Sequence, residues 1–305
     1  MNKFCNFLFV ALAAGTLLFA SCGEQSESLN DGGPDATDTS ANTTPVNRSN
    51  NDQEQRVKKI VRANPSQMDF ARIIQQTGIE FSTDFLLPTE KASNAVTQDQ
   101  QSQLLGIYLG DLYYTTVFDE LAASLPYLEV TKRLATDLGI DNVLNDELLE
   151  RAKSNQNNRD SLMVISVDTY DGLNGELASN DGSEYLGGML ATAMWIEGLY
   201  LATRQTAIEN DAYKARLAEQ KMVLEDLMFI LDDYQDDNLN ELKQTIQPVV
   251  DAFNQVDREQ GEASSKSEGG KITLSGGTKF VLTNDNLKEI SAAVESVRNQ
   301  LVKYA

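Results

Sequence analysis

Residues 183–205 read SEYLGGMLATAMWIEGLYLATRQ, an apolar run of helical length that lacks a polar face. A helix of that kind is stable only where other elements cover it on every side, so it belongs at the centre of a bundle. Gly187, Gly188, Ala191, Ala193, Gly198 and Ala202 leave room for neighbouring backbones to come close. Glu197, together with these scattered small residues, sets the run apart from a membrane span.

The flanking sequence supplies the helices that would do the covering. Ser66 caps a helix that reaches Gln76, with Gly78 beyond it. FSTDFLLP, residues 81–88, reads as a loop with apolar anchors. Thr97 and Gln100 make a capping-box pair that opens a long helix to about Ala123. Pro126 suits the first turn of a helix that stops at Gly139, and Asp141 opens another through about Lys153. Leu162, Ile165, Thr169, Leu173 and Leu177 keep helical spacing despite Gly172 and Gly175.

Two later runs, Leu239-Leu242-Ile246-Val249-Phe253-Val256 and Leu287-Ile290-Val294-Val297-Leu301-Tyr304, alternate steps of three and four. That narrow seam serves a coiled-coil partner or the protein's own bundle, and the shortness of both runs favours the bundle. KITLSGGTKFVL, residues 271–282, reads as two short strands around Gly276 and Gly277. The expected fold is therefore all-α. It is a multi-helix bundle over 65–257, a polar linker over 258–270, and a unit over 271–305 in which a small β-hairpin precedes a terminal helix packed on the bundle.

At 305 residues the chain is long enough for one large core or two small ones. Its formal charge of -21 repels phosphate backbones and anionic head groups, which argues against nucleic acid as a partner of the folded part. There is no histidine, and the only cysteines are Cys5 and Cys22. A Ser-His-Asp triad, a Cys-His dyad and a histidine-ligated zinc are thereby excluded, and any catalysis must use carboxylates, Lys, Tyr, Ser, Thr or Arg.

Lys3, an apolar stretch from Phe4 to Ala20 and the small residues Ala20 and Ser21 compose a secretory signal over residues 1–21. LFASC, Leu18 to Cys22, resembles the lipobox of bacterial lipoproteins, with Phe19 at the place where that family commonly has an aliphatic residue. The resemblance implies cleavage before Cys22 and acylation of that residue, hence a membrane partner through the N-terminal lipid. Gly23 after the cysteine implies the outer membrane, facing periplasm or cell surface. Loss of Cys5 and lipidation of Cys22 would leave the mature protein without a thiol. Residues 22–64, poor in large apolar side chains, form an acidic, disordered tether with a span of about 35 to 40 Å.

Two acids stand inside apolar helices: Asp111 in IYLGDLYYTTVF and Glu197 in MWIEGLYLA. An ionised carboxylate buried alone is costly, so each must be paired, hydrogen-bonded, protonated or placed at a cavity rim. One reading has Asp111, Glu197, Tyr108, Tyr114, Trp195 and Tyr200 lining an internal pocket. The other gives both acids structural hydrogen bonds to tyrosine hydroxyls or to Arg204, and it is the favoured one. LDDYQDDN, 231–238, lacks the glutamate a calcium loop needs and reads as a solvated turn. SEGGKITLSGG matches neither phosphate-binding glycine pattern. No metal, cofactor or catalytic residue is expected. The functional expectation is a lipid-anchored envelope lipoprotein with a non-enzymatic binding or structural role, alongside two alternatives: a small-molecule binder with its pocket between the aromatic helices, and a carboxylate-based hydrolase.

Overall fold

Thr97 sets the first long helix by the capping box its sequence announces. Its Oγ1 accepts from the Gln100 N–H at 3.3 Å, and Gln100 Oε1 accepts from the Thr97 N–H at 3.4 Å. The computed structural model describes residues 80–304 except 156, 180–182, 205–209, 234–235, 261–263, 269–270 and 276–277. The expected signal segment over 1–21, Cys22, the expected tether over 22–64 and the helix expected at Ser66–Gln76 lie outside the described residues. Two 3₁₀ turns, Thr83–Phe85 and Thr89–Asn94, precede α1, Gln98–Val117.

The break after α1 comes earlier than Ala123. Asp119 takes a positive φ of 60°, a conformation aspartate tolerates better than most residues, and α2 already begins at Leu121. Pro126 therefore sits inside α2, Leu121–Asp137, rather than in the opening turn of a later helix. The end of α2 is as expected. Gly139 has a φ of 74°, its N–H donates to Thr136 O at 3.0 Å, and Ile140 N–H donates to Ala135 O at 2.9 Å. This is the Schellman arrangement, in which a glycine supplies the left-handed residue and two orphan carbonyls are satisfied.

The third helix, α3, starts later than Asp141. Asn145, whose Oδ1 accepts from Leu148 N–H at 3.0 Å, caps Asp146–Ser154. Four more helices follow: α4 Arg159–Ser179, α5 Glu184–Thr203, α6 Asp211–Asp233 and α7 Asp237–Asn254. After the strands comes α8, Asn284–Leu301, opened by a second capping box at Thr283.

Helix α5 is the central rod. Residues along it from Leu186 to Thr203 are almost all buried, and α1, α4, α6, α7 and α8 all pack against it. Among the described residues no helix is long and apolar enough to cross a membrane. The closest approach is to α1: a Cβ placed on Gly106 would stand 2.4 Å from Leu190 O and 2.9 Å from Ala193 Cβ. One added at Gly110 would meet Glu197 Cβ at 2.9 Å. The seams of α7 and α8 are used within the chain. Leu239 to Val256 and Leu287 to Leu301 are buried along their spacings, and the two helices pack on each other. Tyr304 ends outside the seam, exposed.

Strands lie where expected at Lys271–Ser275 (β3) and Thr278–Val281 (β4), but they do not pair with each other. Their partners come from the stretch that composition marks as a linker. Asp257–Gln260 (β1) pairs antiparallel with β4, and Ser264–Glu268 (β2) with β3. The register sets Glu268 opposite Lys271 and Ser264 opposite Ser275. The apolar residues Val256, Phe280 and Leu282 at the base of this ribbon are buried, and β4 packs against α6.

Candidate functional site

Positions 108, 111 and 114 step along one side of α1, and each holds the segment that precedes the helix. Tyr108 Oη donates to Pro88 O at 2.9 Å, Leu87 N–H donates to Asp111 Oδ2 at 3.1 Å, and Ser82 N–H donates to Tyr114 Oη at 3.2 Å. The Tyr114 ring stacks on Phe81 with centroids 5.4 Å apart. Residues 81–88 thus form a strap, anchored further by buried Leu86 and Leu87. The aromatic side chains read as pocket walls are a bed for this strap.

Asp111 also meets Glu197 of α5, and both side chains are wholly buried. Their counter-charge is Arg298 of α8, a residue the sequence reading missed. Arg298 Nε donates to Glu197 Oε2 at 2.7 Å and one of its terminal nitrogens donates to Glu197 Oε1 at 3.0 Å, a two-pronged pair. The same nitrogen reaches Phe85 O of the strap at 3.4 Å, and the guanidinium lies 4.2 Å from the centroid of the Tyr200 ring.

One negative and one positive charge cancel here, and a second carboxylate would not. Burial first, and the neighbouring Glu197 second, hold the Asp111 carboxyl well above the usual range; Arg298 and the Leu87 N–H offset them only in part. Asp111 Oδ1 meets no donor, and a carboxyl held neutral can place its proton there. Burial acts to lower the Arg298 pKa, and the Glu197 carboxylate outweighs it, so the guanidinium stays charged. Burial, with Asp111 nearby, likewise raises the Tyr108 hydroxyl, which keeps it a donor to Pro88.

Two other expectations are corrected. Arg204 does not serve the acids: it donates to Glu295 Oε2 at 3.0 Å and to Ser291 Oγ at 2.6 Å, both on α8. Trp195 faces away from them; its Nε1–H donates to Gln220 Oε1 of α6 at 3.2 Å, and its ring packs on Phe253 of α7 with centroids 6.1 Å apart. The structure therefore gathers Tyr108, Asp111, Tyr114, Glu197 and Tyr200 around the strap and Arg298, and leaves Trp195 out. Arg298 did leave a trace in the sequence: it directly follows the seam residue Val297, where a charge borders the apolar stripe.

A different place in the bundle is open. Between α1, α2, α3 and α4 lies a cavity of about 380 Å³, walled by Leu112, Leu128, Leu162 and Ile165. Four hydroxyls also line it, those of Thr116, Ser124, Ser166 and Thr169, and three of them donate back to their own helices: Thr116 to Leu112 O at 2.8 Å, Ser166 to Leu162 O at 2.9 Å and Thr169 to Ile165 O at 2.7 Å. With those protons engaged, these three offer the cavity carbon and lone pairs. At the mouth stand Leu125, 41% exposed, and Lys153, whose side chain is 59% exposed.

Among the described residues, no group of three or more acids, cysteines or histidines is placed to hold a metal ion. In the run LDDYQDDN, Asp236 caps α7 by accepting from Asn238 N–H at 2.8 Å, and Asp232 pairs with Lys243 at 2.9 Å. Comparison of the chain with protein-family models, with curated proteins and with solved structures finds no match.

Proposed function

We propose that this protein is a lipid-anchored lipoprotein of the cell envelope whose helical domain binds an apolar small molecule and does no chemistry on it. The observation that carries the non-enzymatic half is the enclosure of the acid pair. Asp111 and Glu197 are fully buried, the one held by the Leu87 N–H and the other spent on Arg298, and the strap and α8 lie over them. A general acid or nucleophile has to reach substrate, whereas these groups reach three segments of their own chain. The binding half is supported by the cavity of about 380 Å³, a volume inside the range of roughly 300 to 1,000 Å³ common to small-molecule sites. The pocket is thus proposed between α1, α2, α3 and α4 and not between the aromatic helices. Delivery rests on the lipobox resemblance at Leu18–Cys22.

Thermal melting of the full-length chain with a panel of neutral apolar probes tests the binding reading. A ligand that prefers the native state must raise the melting temperature, by an amount that grows with its concentration. A panel without effect would sink the reading, as would turnover of a substrate that disappears in Asp111→Asn. The anchor has its own test: Cys22→Ser should abolish incorporation of a fatty-acid analogue, and persistent labelling would refute it.

A further inference from the structure

The chemistry of the cavity lining narrows the ligand further. The protein holds 46 acidic against 25 basic residues, yet the described residues that line this cavity include no acid and one cation, Lys153. Its interior is walled by aliphatic side chains, and three of its four hydroxyls donate to helix carbonyls, so a hydrogen-bond-accepting group placed against Thr116, Ser166 or Thr169 would find no free donor. An apolar body can occupy it at no such cost, since a dry cavity of only ~150 Å³ already takes up benzene. The ammonium of Lys153 stands at the rim beside the exposed Leu125. Its present partner is Glu150 at 2.9 Å, one turn away on the same exposed helix face, a contact weak enough to be exchanged.

We propose that the cavity binds a single-chain amphipathic acid, with the alkyl chain in the aliphatic interior and the carboxylate on Lys153. This rests on the reading of the domain as a ligand binder. The acidic surface opposes the approach of any anion, but beyond about 8 Å that repulsion is screened at physiological salt, and the nearest charge decides the head group. The two-chain phospholipids share this head-and-chain chemistry. The volume and the single cation at the mouth suit one chain and one charge.

Calorimetric titration of the full-length chain with dodecanoate, methyl dodecanoate and dodecyltrimethylammonium, each below its micellar concentration, tests the assignment. Dodecanoate should bind best, with an advantage over the ester of up to about fivefold, the range of an exposed ion pair. Lys153→Gln, a surface change that leaves the core untouched, should erase that advantage and spare binding of the ester. Ala152→Leu, which fills the interior, should weaken both. Equal binding of acid and ester, unchanged by Lys153→Gln, would overturn the anionic assignment while leaving an apolar binder in place. Absence of binding by all three would overturn the assignment and the binding reading together. Displacement of dodecanoate by short-chain phosphatidylglycerol at lower concentration would give the site to membrane lipid and overturn the single-chain claim.

Discussion

The two sides of α1 are packed by opposite rules. Toward α5, Gly106 and Gly110 let the helices touch, and the contact encloses Asp111 and the two-pronged pair of Glu197 with Arg298. Toward α2 and α4, Leu112 and Thr116 face a cavity of about 380 Å³ whose walls do not meet. Charge demands a partner at once, since a buried carboxylate without one costs several kcal/mol, roughly. Apolar walls hold no group that must be paired, so they can stand apart without stranding a charge. The polar side of the helix is therefore closed to ligands, and the apolar side is the one that can accept one.

This contrast can be broken by mutation, most strongly at its charged end. Arg298→Met strands Glu197 in the core and should lower stability by about 3 to 5 kcal/mol, read from the urea midpoint at constant slope. The pair Arg298→Met with Glu197→Gln should lose less than the two single changes summed, because no charge is then left unpaired. A loss in the double variant equal to the sum of the two single losses would deny that the pair is coupled.

The closed side should also reject added volume. Ala193, fully buried where Gly106 meets α5, has no space for a larger side chain, and Ala193→Leu should cost about 1 to 3 kcal/mol by overpacking. Asp111 tests the electrostatics of the same side. Its carboxyl is raised, so between its ordinary and its raised pKa the folded state holds a proton that the unfolded chain has released. Stability must fall as pH rises through that window, by up to about 1.4 kcal/mol per pH unit. Asp111→Asn keeps a donor toward Glu197 and an acceptor for Leu87 N–H, so it should flatten that slope relative to the parent chain without loss of stability at neutral pH. An unchanged difference between pH-stability curves would mean that Asp111 is ionised.

The open side predicts the smallest effect and the opposite sign. Ala152→Leu puts a larger apolar side chain into the cavity and should stabilise by about 0.5 to 1 kcal/mol. A loss like that of Ala193→Leu would show the two sides to be equally tight and would remove the cavity as a binding place.

Much of this contrast is legible in the sequence. The unbroken apolar face of 183–205 put α5 at the centre, the seams of α7 and α8 read correctly to the residue up to Leu301, and the two acids stood out as needing partners. What failed were decisions with no local signature. Phe118 to Glu120 carry neither glycine nor proline, so the break between α1 and α2 was set by Asp119 and not by Pro126. The strands of 271–281 were visible by their composition, but a strand's partner is a choice among segments, and it fell on the polar residues 257–268.

The sequence by itself determined the class of fold, the exclusion of histidine chemistry, and the fact that Asp111 and Glu197 had to be compensated, because each of these follows from residue type and spacing. Only the tertiary structure decided that Glu197 is compensated by Arg298, 101 residues further along the chain, that Asp111 is met by the Leu87 N–H, and that residues 81–88 cover the aromatic face. It also decided that the open space lies between α1 and α4. Electrostatic pairing and cavity formation depend on distances between segments, and a linear pattern carries the demand for a partner without carrying its address.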